Sequence, residues 1–541
     1  EAHESSPPTE QPGALDVYPP SIDEFPATTD HFRFARTPGT DRDTFPLKYL
    51  TYTSFSAGNS AAPVLLYCGN EGAIEDFYNN TGGMFEIAEA LDAFVVFVEH
   101  RYYGNSLPFG PDGSFTNDGL RLLTIEQSLA DISEFIVALP GLVGCGGGRA
   151  SSNGGTMGRP NWQGTDRCDV VLFGGSYGGM LAAWHRLKYP HLTVGAIASG
   201  APVDFYPGSG IQESFFAAFM ATFEGAADGC GVALQYALEA LGNSSATDLS
   251  AAGGIFCDSN STSDNTMEQF TFYAKGAISS LAMIDYPYPC RFIAPMPANP
   301  VEAACSQLLS ANEDVLSSLV TVVLQYVNAS ADLPCMDLDA ELVGHSLKPT
   351  KKQPHLQQRQ HEVHQSSLSP LSSISPINRV GMDLGTVSWN YQACTELLLE
   401  PITSDGLGFY PPCPIAETAD VAARCANLFG VSPRPFWMPT SFGRGQDYAL
   451  PLAAGGGTLS RVLFIENSKD PWHVGTETLG NGSIPTLGDG STPTRFLAQG
   501  GAHHQDLRFS SPYDAPDVIR ARQLEREAIE AWLEQRRRQN A

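Results

Sequence analysis

No run of 18 apolar residues occurs in this 541-residue chain, so no segment reads as a membrane-spanning helix. Positive charge is scarce too: 31 Lys and Arg face 59 Asp and Glu, a formal charge of −28. That balance argues against nucleic acid and anionic membrane as partners, since both call for a basic surface. Self-repulsion of this size falls when carboxylates are partly protonated, so an acidic compartment is expected. None of the 11 cysteines, at 68, 145, 168, 230, 257, 290, 305, 335, 394, 413 and 425, forms a Cys-X-X-Cys pair. Their scatter and odd number read as several disulfides and at least one free thiol, with Cys68 the candidate for the latter. No internal period of solenoid type recurs, and no metal or cofactor is expected.

What is present is a strand, a sharp turn and a helix. Asp169-Val170-Val171-Leu172-Phe173 reads as a buried strand, Gly174-Gly175-Ser176-Tyr177-Gly178-Gly179-Met180 as a turn, and Leu181 to His185 as a helix. This is the pattern of a nucleophile elbow, in which glycines permit the turn and Ser176 projects at a helix N-terminus, where partial positive charge collects. Gly-X-Ser-X-Gly alone is a weak signal in a chain with 53 glycines. The flanking elements and the downstream partners give it weight.

Such a serine needs a base, and the base needs an orienting carboxylate, in the chain order Ser, acid, His. Arg461 to Ile465 reads as a buried strand running into Glu466-Asn467-Ser468-Lys469-Asp470, which places Asp470 in a strand-end loop. Arg495 to Gln499 reads as the last strand, followed by Gly500-Gly501-Ala502-His503-His504. His503 is the favoured base over its neighbour, with His504 and Arg508 behind it or structural. A tetrahedral oxyanion calls for two donors. The Tyr177 N–H supplies one, and the loop Gly69-Asn70-Glu71-Gly72 after the early strand Pro63 to Cys68 supplies the other, through Asn70 or Glu71. Glu71 has a second use open to it, binding a substrate ammonium.

The periodicity predicts an α/β-hydrolase fold with a mostly parallel sheet split by an inserted helical cap. Residues 1–29 read as a flexible N-terminal segment, rich in Pro, Ser and acid; 30–202 and 440–541 as the two parts of the hydrolase domain; 203–439 as the cap. Thr124-Ile125-Glu126-Gln127 reads as a capping box, and Ala515 to Gln539 as a terminal amphipathic helix. Two polar stretches, 144–166 and 348–376, read as loose insertions. His355, His361 and His364 in the second have no paired Cys or acid, which argues against metal.

Five blocks in order resemble the lysosomal Pro-X carboxypeptidase and dipeptidyl peptidase II family of serine peptidases. They are Gly69 to Gly72, Glu99-His100-Arg101-Tyr102-Tyr103-Gly104-Asn105-Ser106 and on to Gly110, Gly174 to Met180, Trp389-Asn390-Tyr391-Gln392-Ala393-Cys394-Thr395-Glu396, and Gly501 to Arg508. The resemblance implies a serine exopeptidase that cleaves after proline, with Ser176, Asp470 and His503 as its triad. Asn390 stands where aminopeptidase-like members tend to carry an acid and carboxypeptidase-like members a small neutral residue. Proline lacks an N–H and has a fixed φ, so its recognition rests on shape. Trp389, Tyr391, Phe436, Trp437 and Trp472 are the aromatics expected to offer a slot. An esterase or lipase on the same fold, and a non-catalytic hydrolase-like binding protein, are the alternatives. Sequons at Asn79, Asn243, Asn260, Asn328 and Asn481, with the cysteines, point to the secretory pathway and to a lysosome, vacuole or extracellular destination. The chain opens on Glu1, as expected after removal of a signal peptide. The expected partners are proline-containing peptides, and a homodimer is left open.

Overall fold

The computed structural model describes residues 9–33, 43–146, 167–253, 264–311, 314–327, 386–397, 419–444, 459–479 and 492–540. Most of both polar insertions, all three candidate metal histidines, and the sequons at Asn260, Asn328 and Asn481 fall outside these residues.

Eight strands form one sheet among the described residues: β1 Ser21–Thr28, β2 Thr44–Tyr52, β3 Val64–Cys68, β4 Phe94–Val98, β5 Val170–Gly175, β6 Gly195–Ser199, β7 Val462–Asn467 and β8 Thr494–Ala498. Their spatial order is β1-β2-β4-β3-β5-β6-β7-β8. The pairs β1–β2 and β2–β4 are antiparallel and the rest are parallel. Strands β3 to β7 are buried along their whole length. A parallel sheet is covered on both faces, which is why these strands read as unbroken apolar runs. Helices Ile125–Val143 and Tyr177–Lys188 cover one face; Ile74–Asn80, Gly82–Ala90 and Pro516–Asn540 cover the other. Thr124 caps its helix, accepting from the Gln127 N–H at 3.2 Å. With these layers the chain has an α/β-hydrolase fold.

One expectation is corrected. Composition puts Ser21–Thr28 in a flexible N-terminal segment, but it pairs with β2 over its full length and buries Phe25 and Ala27. Pro26 removes one donor, which a strand at the sheet edge tolerates.

Between β6 and β7 the described chain is helical, and its largest group of helices packs on a core of its own. Helices Ser214–Ala226, Cys230–Gly242, Asp264–Met283, Pro300–Leu309 and Val315–Val327 bury Phe219, Phe223, Leu234, Ile278, Val322 and their neighbours. The Cys230–Cys305 disulfide crosses this core. Cys145–Cys168 and Cys394–Cys425 are also bonded, while Cys68 is a free, buried thiol in β3, as the sequence implied.

Candidate active site

Every proposed functional loop leaves the same edge of the sheet, because parallel strands all present their carboxyl ends there and β3, flanked by β4 and β5, marks the point where the strand order reverses. Ser176 follows β5 directly with φ 54° and ψ −126°, a conformation few non-glycine residues adopt. Such strain costs on the order of 1–3 kcal/mol and persists only where the surroundings enforce it. The neighbouring glycines contribute room rather than conformational freedom: a Cβ on Gly178 would collide with the Asn70 side chain and lie 2.6 Å from the Cys68 carbonyl oxygen. The turn lies where the sequence implies, but the strain falls on Ser176 and not on its glycines.

The Ser176 N–H donates to the Ser199 carbonyl at 2.8 Å, which sets the serine beside the end of β6. Gly200 comes next, at φ 54°, and a Cβ there would lie 3.0 Å from His503 Nδ1 and 3.3 Å from Asp470 Oδ2. The His503–Asp470 pair therefore rests on the residue that follows the serine's own hydrogen-bond partner. His503 Nδ1 is 2.5 Å from Asp470 Oδ2, and both side chains are buried. A carboxylate oxygen accepts, so Nδ1 carries the proton and Nε2 is left with its lone pair free. Asp470 is itself fixed: its Oδ1 accepts from the Trp472 N–H at 3.0 Å, and its own N–H donates to the Asn467 carbonyl at 3.0 Å.

His504 has a different environment. Its ring is tilted against that of His503 with centroids 3.8 Å apart, and it meets Phe292 edge-on at 5.4 Å. Burial, with the nearby His503 and Arg508, holds its pKa well below the usual imidazole value, so it stays neutral. The Arg508 guanidinium lies over the Tyr286 ring at 4.6 Å and donates to Asn80 Oδ1 at 3.2 Å.

On the oxyanion side, Tyr177 begins the helix. The Asn70 side chain is already committed: Nδ2 donates to the Gly175 carbonyl at 2.6 Å and Oδ1 accepts from the Tyr67 hydroxyl at 3.0 Å. Glu71 is 9% exposed, and its Oε2 has no hydrogen-bond partner among the described residues. Burial pushes its pKa up to about 7, against the opposing pull of His503.

The aromatics divide. Trp389 meets Tyr177 edge-on at 5.8 Å, and Trp472, just after the acid, packs on Phe205 and Phe215 at 5.0 and 4.7 Å. Tyr391 is buried against Phe429 in a cluster with Cys394 and Cys425. Asn390 is half-buried on the same helix, Phe436 is 60% exposed, and Trp437 stacks on Arg434 at 4.0 Å. Asn243 is exposed, whereas Asn79 is half-buried and accepts from the Leu15 N–H at 3.2 Å.

Sequence reasoning missed the residues that hold the His503 loop from outside the sheet. The His503 N–H donates to the Met283 carbonyl at 2.8 Å, and the Tyr286 hydroxyl donates to the His503 carbonyl at 2.7 Å. Lys469 Nζ reaches Asp285 Oδ2 at 2.7 Å. These contacts join segments about 200 residues apart, and nothing local announces them.

Comparison with known proteins matches most of the chain to one family. The family model described as "Serine carboxypeptidase S28" matches residues 27–145 and 156–525. The lysosomal Pro-X carboxypeptidase of Mus musculus is 31% identical over 538 residues, covering 98% of this chain and 92% of its own length. That of Homo sapiens is 30% identical over 536 residues, covering 97% and 90%. The thymus-specific serine protease of Homo sapiens is 26% identical over 522 residues, covering 91% and 84%. A serine at the elbow of an α/β-hydrolase sheet, a buried histidine–aspartate pair beside it, and a family match across both parts of that sheet lead to one conclusion: the chain is a serine-type peptidase and belongs to the serine carboxypeptidase S28 family.

Proposed function

We propose that this peptidase removes the residue after a proline from the free carboxyl end of a peptide. Ser176 is the nucleophile and His503 Nε2 takes its proton as the hydroxyl attacks the proline carbonyl. Asp470 fixes the tautomer and stabilises the imidazolium that forms. The Tyr177 N–H and a backbone N–H of the Asn70–Glu71 loop hold the oxyanion. His503 then protonates the leaving amine, and a water activated by the same ring releases the acyl group. The observation that carries this reading is the buried His503–Asp470 pair seated over Gly200, next to the partner of Ser176.

The end of the peptide that is read follows from charge. Trimming from the amino end would call for a carboxylate to meet the substrate ammonium. Asn390 offers none, and Glu71, with its pKa near 7, is mostly uncharged in an acidic compartment. The Pro-X carboxypeptidase names of the relatives agree with carboxyl-end trimming. Trp389 and Trp472 are the aromatics we assign to the proline slot, and the helical insert after β6 acts as the cap that encloses it. The disulfides and the strongly acidic chain support passage through the secretory pathway to a lysosome, vacuole or acidic exterior.

A panel of Pro-X peptides with free and blocked ends tests this. Hydrolysis is expected to need a free carboxyl end and to tolerate a blocked amino end, and Ser176→Ala is expected to abolish both turnover and fluorophosphonate labelling. A requirement for a free amino end would reverse the assignment. Preference for acyl esters over every Pro-X peptide would return the enzyme to the esterases.

A further inference from the structure

Tyr177 bears two separate duties on one residue. Its N–H follows the nucleophile, while its phenol is buried among polar atoms that fix its position. His100 Nδ1 lies 2.6 Å from the Arg101 carbonyl oxygen, which only accepts, so that nitrogen carries the proton and Nε2 is an acceptor. Burial lowers the His100 pKa to about 4, which keeps the ring in this neutral form. The Tyr177 hydroxyl, 3.0 Å from Nε2, donates to it, sharing that acceptor with Ser128 Oγ at 2.7 Å. With its proton so directed, the phenol oxygen must receive, and Gln392 Nε2 donates to it at 2.8 Å. Gln392 Oε1 in turn accepts from the Tyr103 hydroxyl at 2.5 Å. The chain has one direction: Tyr103 to Gln392 to Tyr177 to His100 to the Arg101 carbonyl.

Gln392 is fully buried on the helix Thr386–Thr395, which belongs to the insert and not to the sheet. The same helix sets Trp389 against the Tyr177 ring, and Ser388 Oγ donates to the Tyr102 carbonyl at 3.0 Å. The Cys394–Cys425 disulfide ties it to the helix Ala419–Phe429. The strained Ser176 is consequently gripped on both sides: Asn70 Nδ2 holds the Gly175 carbonyl before it, and Gln392 holds the Tyr177 phenol after it. A conformation this unfavourable needs such enforcement, and the direction of the Tyr177 N–H depends on the same turn.

We propose that Gln392 is a positioning residue for acyl transfer, fixing the Tyr177 phenol so that the adjoining N–H points at the developing oxyanion. This rests on Ser176 being the nucleophile and Tyr177 an oxyanion donor. Gln392 touches no substrate; its effect passes through Tyr177, and it makes the rate of chemistry depend on the seating of an insert helix.

The test uses the full-length enzyme, a Pro-X peptide and a fluorophosphonate. Gln392→Leu fills a similar volume without either hydrogen bond; kcat and the labelling rate are expected to drop on the order of tenfold to a hundredfold, with KM little changed. Tyr177→Phe keeps the N–H and loses the phenol, so it is expected to show the same loss, and the double variant no further loss. Gln392→Glu supplies the readout that a structural role would not move. As a neutral acid it accepts from Tyr103 and donates to Tyr177, so kcat is expected to approach wild type at low pH and to fall with an added ionisation as the carboxyl loses its proton. That variant also serves if Gln392→Leu fails to fold. A pH profile of Gln392→Glu superimposable on wild type, or a folded Gln392→Leu with kcat within twofold of wild type, overturns the proposal while leaving the triad intact. A wild-type enzyme that neither labels nor hydrolyses overturns the assignment of Ser176 and this inference with it.

Discussion

The carboxyl edge of the sheet and the main core of the helical insert are built on different plans. The edge concentrates strain and buried polarity: Ser176 and His504 take positive φ, Glu71, Glu466 and Asp470 are buried there, and Asp506 lies beneath them, accepting from Ser199 Oγ and Asn467 Nδ2 at 2.8 and 2.7 Å. The insert's main core is aliphatic and aromatic, crossed by one disulfide. Yet the insert holds the His503 loop by its main chain through Met283 and Tyr286, and the acid loop through Asp285. The difference teaches a division of labour: the edge supplies reactive groups at a cost in stability, and the insert supplies the packing that keeps them in place.

If that division holds, a change at the edge should remove activity without unfolding. Asp470→Asn leaves a group that accepts from the Trp472 N–H but favours the wrong His503 tautomer, so kcat is expected to fall by about 10⁴. Thermal melting should move little. A melting temperature that collapses with the activity would show the pair to be holding the fold.

The converse change belongs to the insert. Replacing Cys230 and Cys305 together by alanine releases a cross-link between residues 75 apart in sequence, a loss of about 2–4 kcal/mol. Calorimetry is expected to resolve the insert melting before the sheet, with peptidase activity disappearing at the first transition because the His503 loop loses Met283 and Tyr286. A single transition would mean that the two regions are one cooperative unit.

Stability against pH sharpens the same contrast. Burial raises Glu71 to about 7 and Glu396 to about 8, and holds Glu466 and Glu525 well above the usual carboxyl value. These acids are neutral when folded and ionise near 4.5 when unfolded, so their contribution is complete below about 4.5 and declines as pH rises through 7 and 8. His100, His185 and His504 act in the other direction: burial lowers their folded pKa values, so their contribution is complete above about 6.5 and declines as pH falls. The two sets leave a maximum between roughly pH 4.5 and 6.5. Melting temperature should peak there and drop toward pH 8, and Glu525→Gln should flatten that alkaline fall. A maximum at or above pH 8 would contradict the assignment of these acids as neutral.

The sheet was legible because its chemistry is local. Unbroken runs such as Phe94-Val95-Val96-Phe97-Val98 announce strands buried on both faces, and the elbow and both partner loops follow strands directly. The pairing of His503 with Asp470 was legible for the same reason, since chain order and strand ends restrict where each can lie. The β1 strand was not, because an edge strand shows only half an apolar pattern and Pro26 argued against it. Nor were the supports from the insert. Met283 offers a carbonyl, which every residue has, and Tyr286 one hydroxyl among 19 tyrosines. Which of them meets His503 is decided by how the helix Asp264–Met283 ends against the last loop, a tertiary fact that no sequence period encodes.

The mildest change tests the division at its joint. Tyr286→Phe removes one buried hydrogen bond to the His503 carbonyl and keeps the ring under the Arg508 guanidinium. A lost bond of this kind costs about 1 kcal/mol. If the loop were held by the sheet alone, that cost would appear as a small drop in melting temperature and nowhere else. If the insert aims the imidazole, part of it must appear in the chemistry, because His503 is then less often aligned with the Ser176 hydroxyl. A fall in kcat of roughly twofold to fivefold at constant KM is therefore expected, reaching at most the tenfold that ~1.4 kcal/mol would allow. Unchanged kcat with a lowered melting temperature would assign Tyr286 to the fold only, and would leave the hydrogen bond from the His503 N–H to the Met283 carbonyl to align the base.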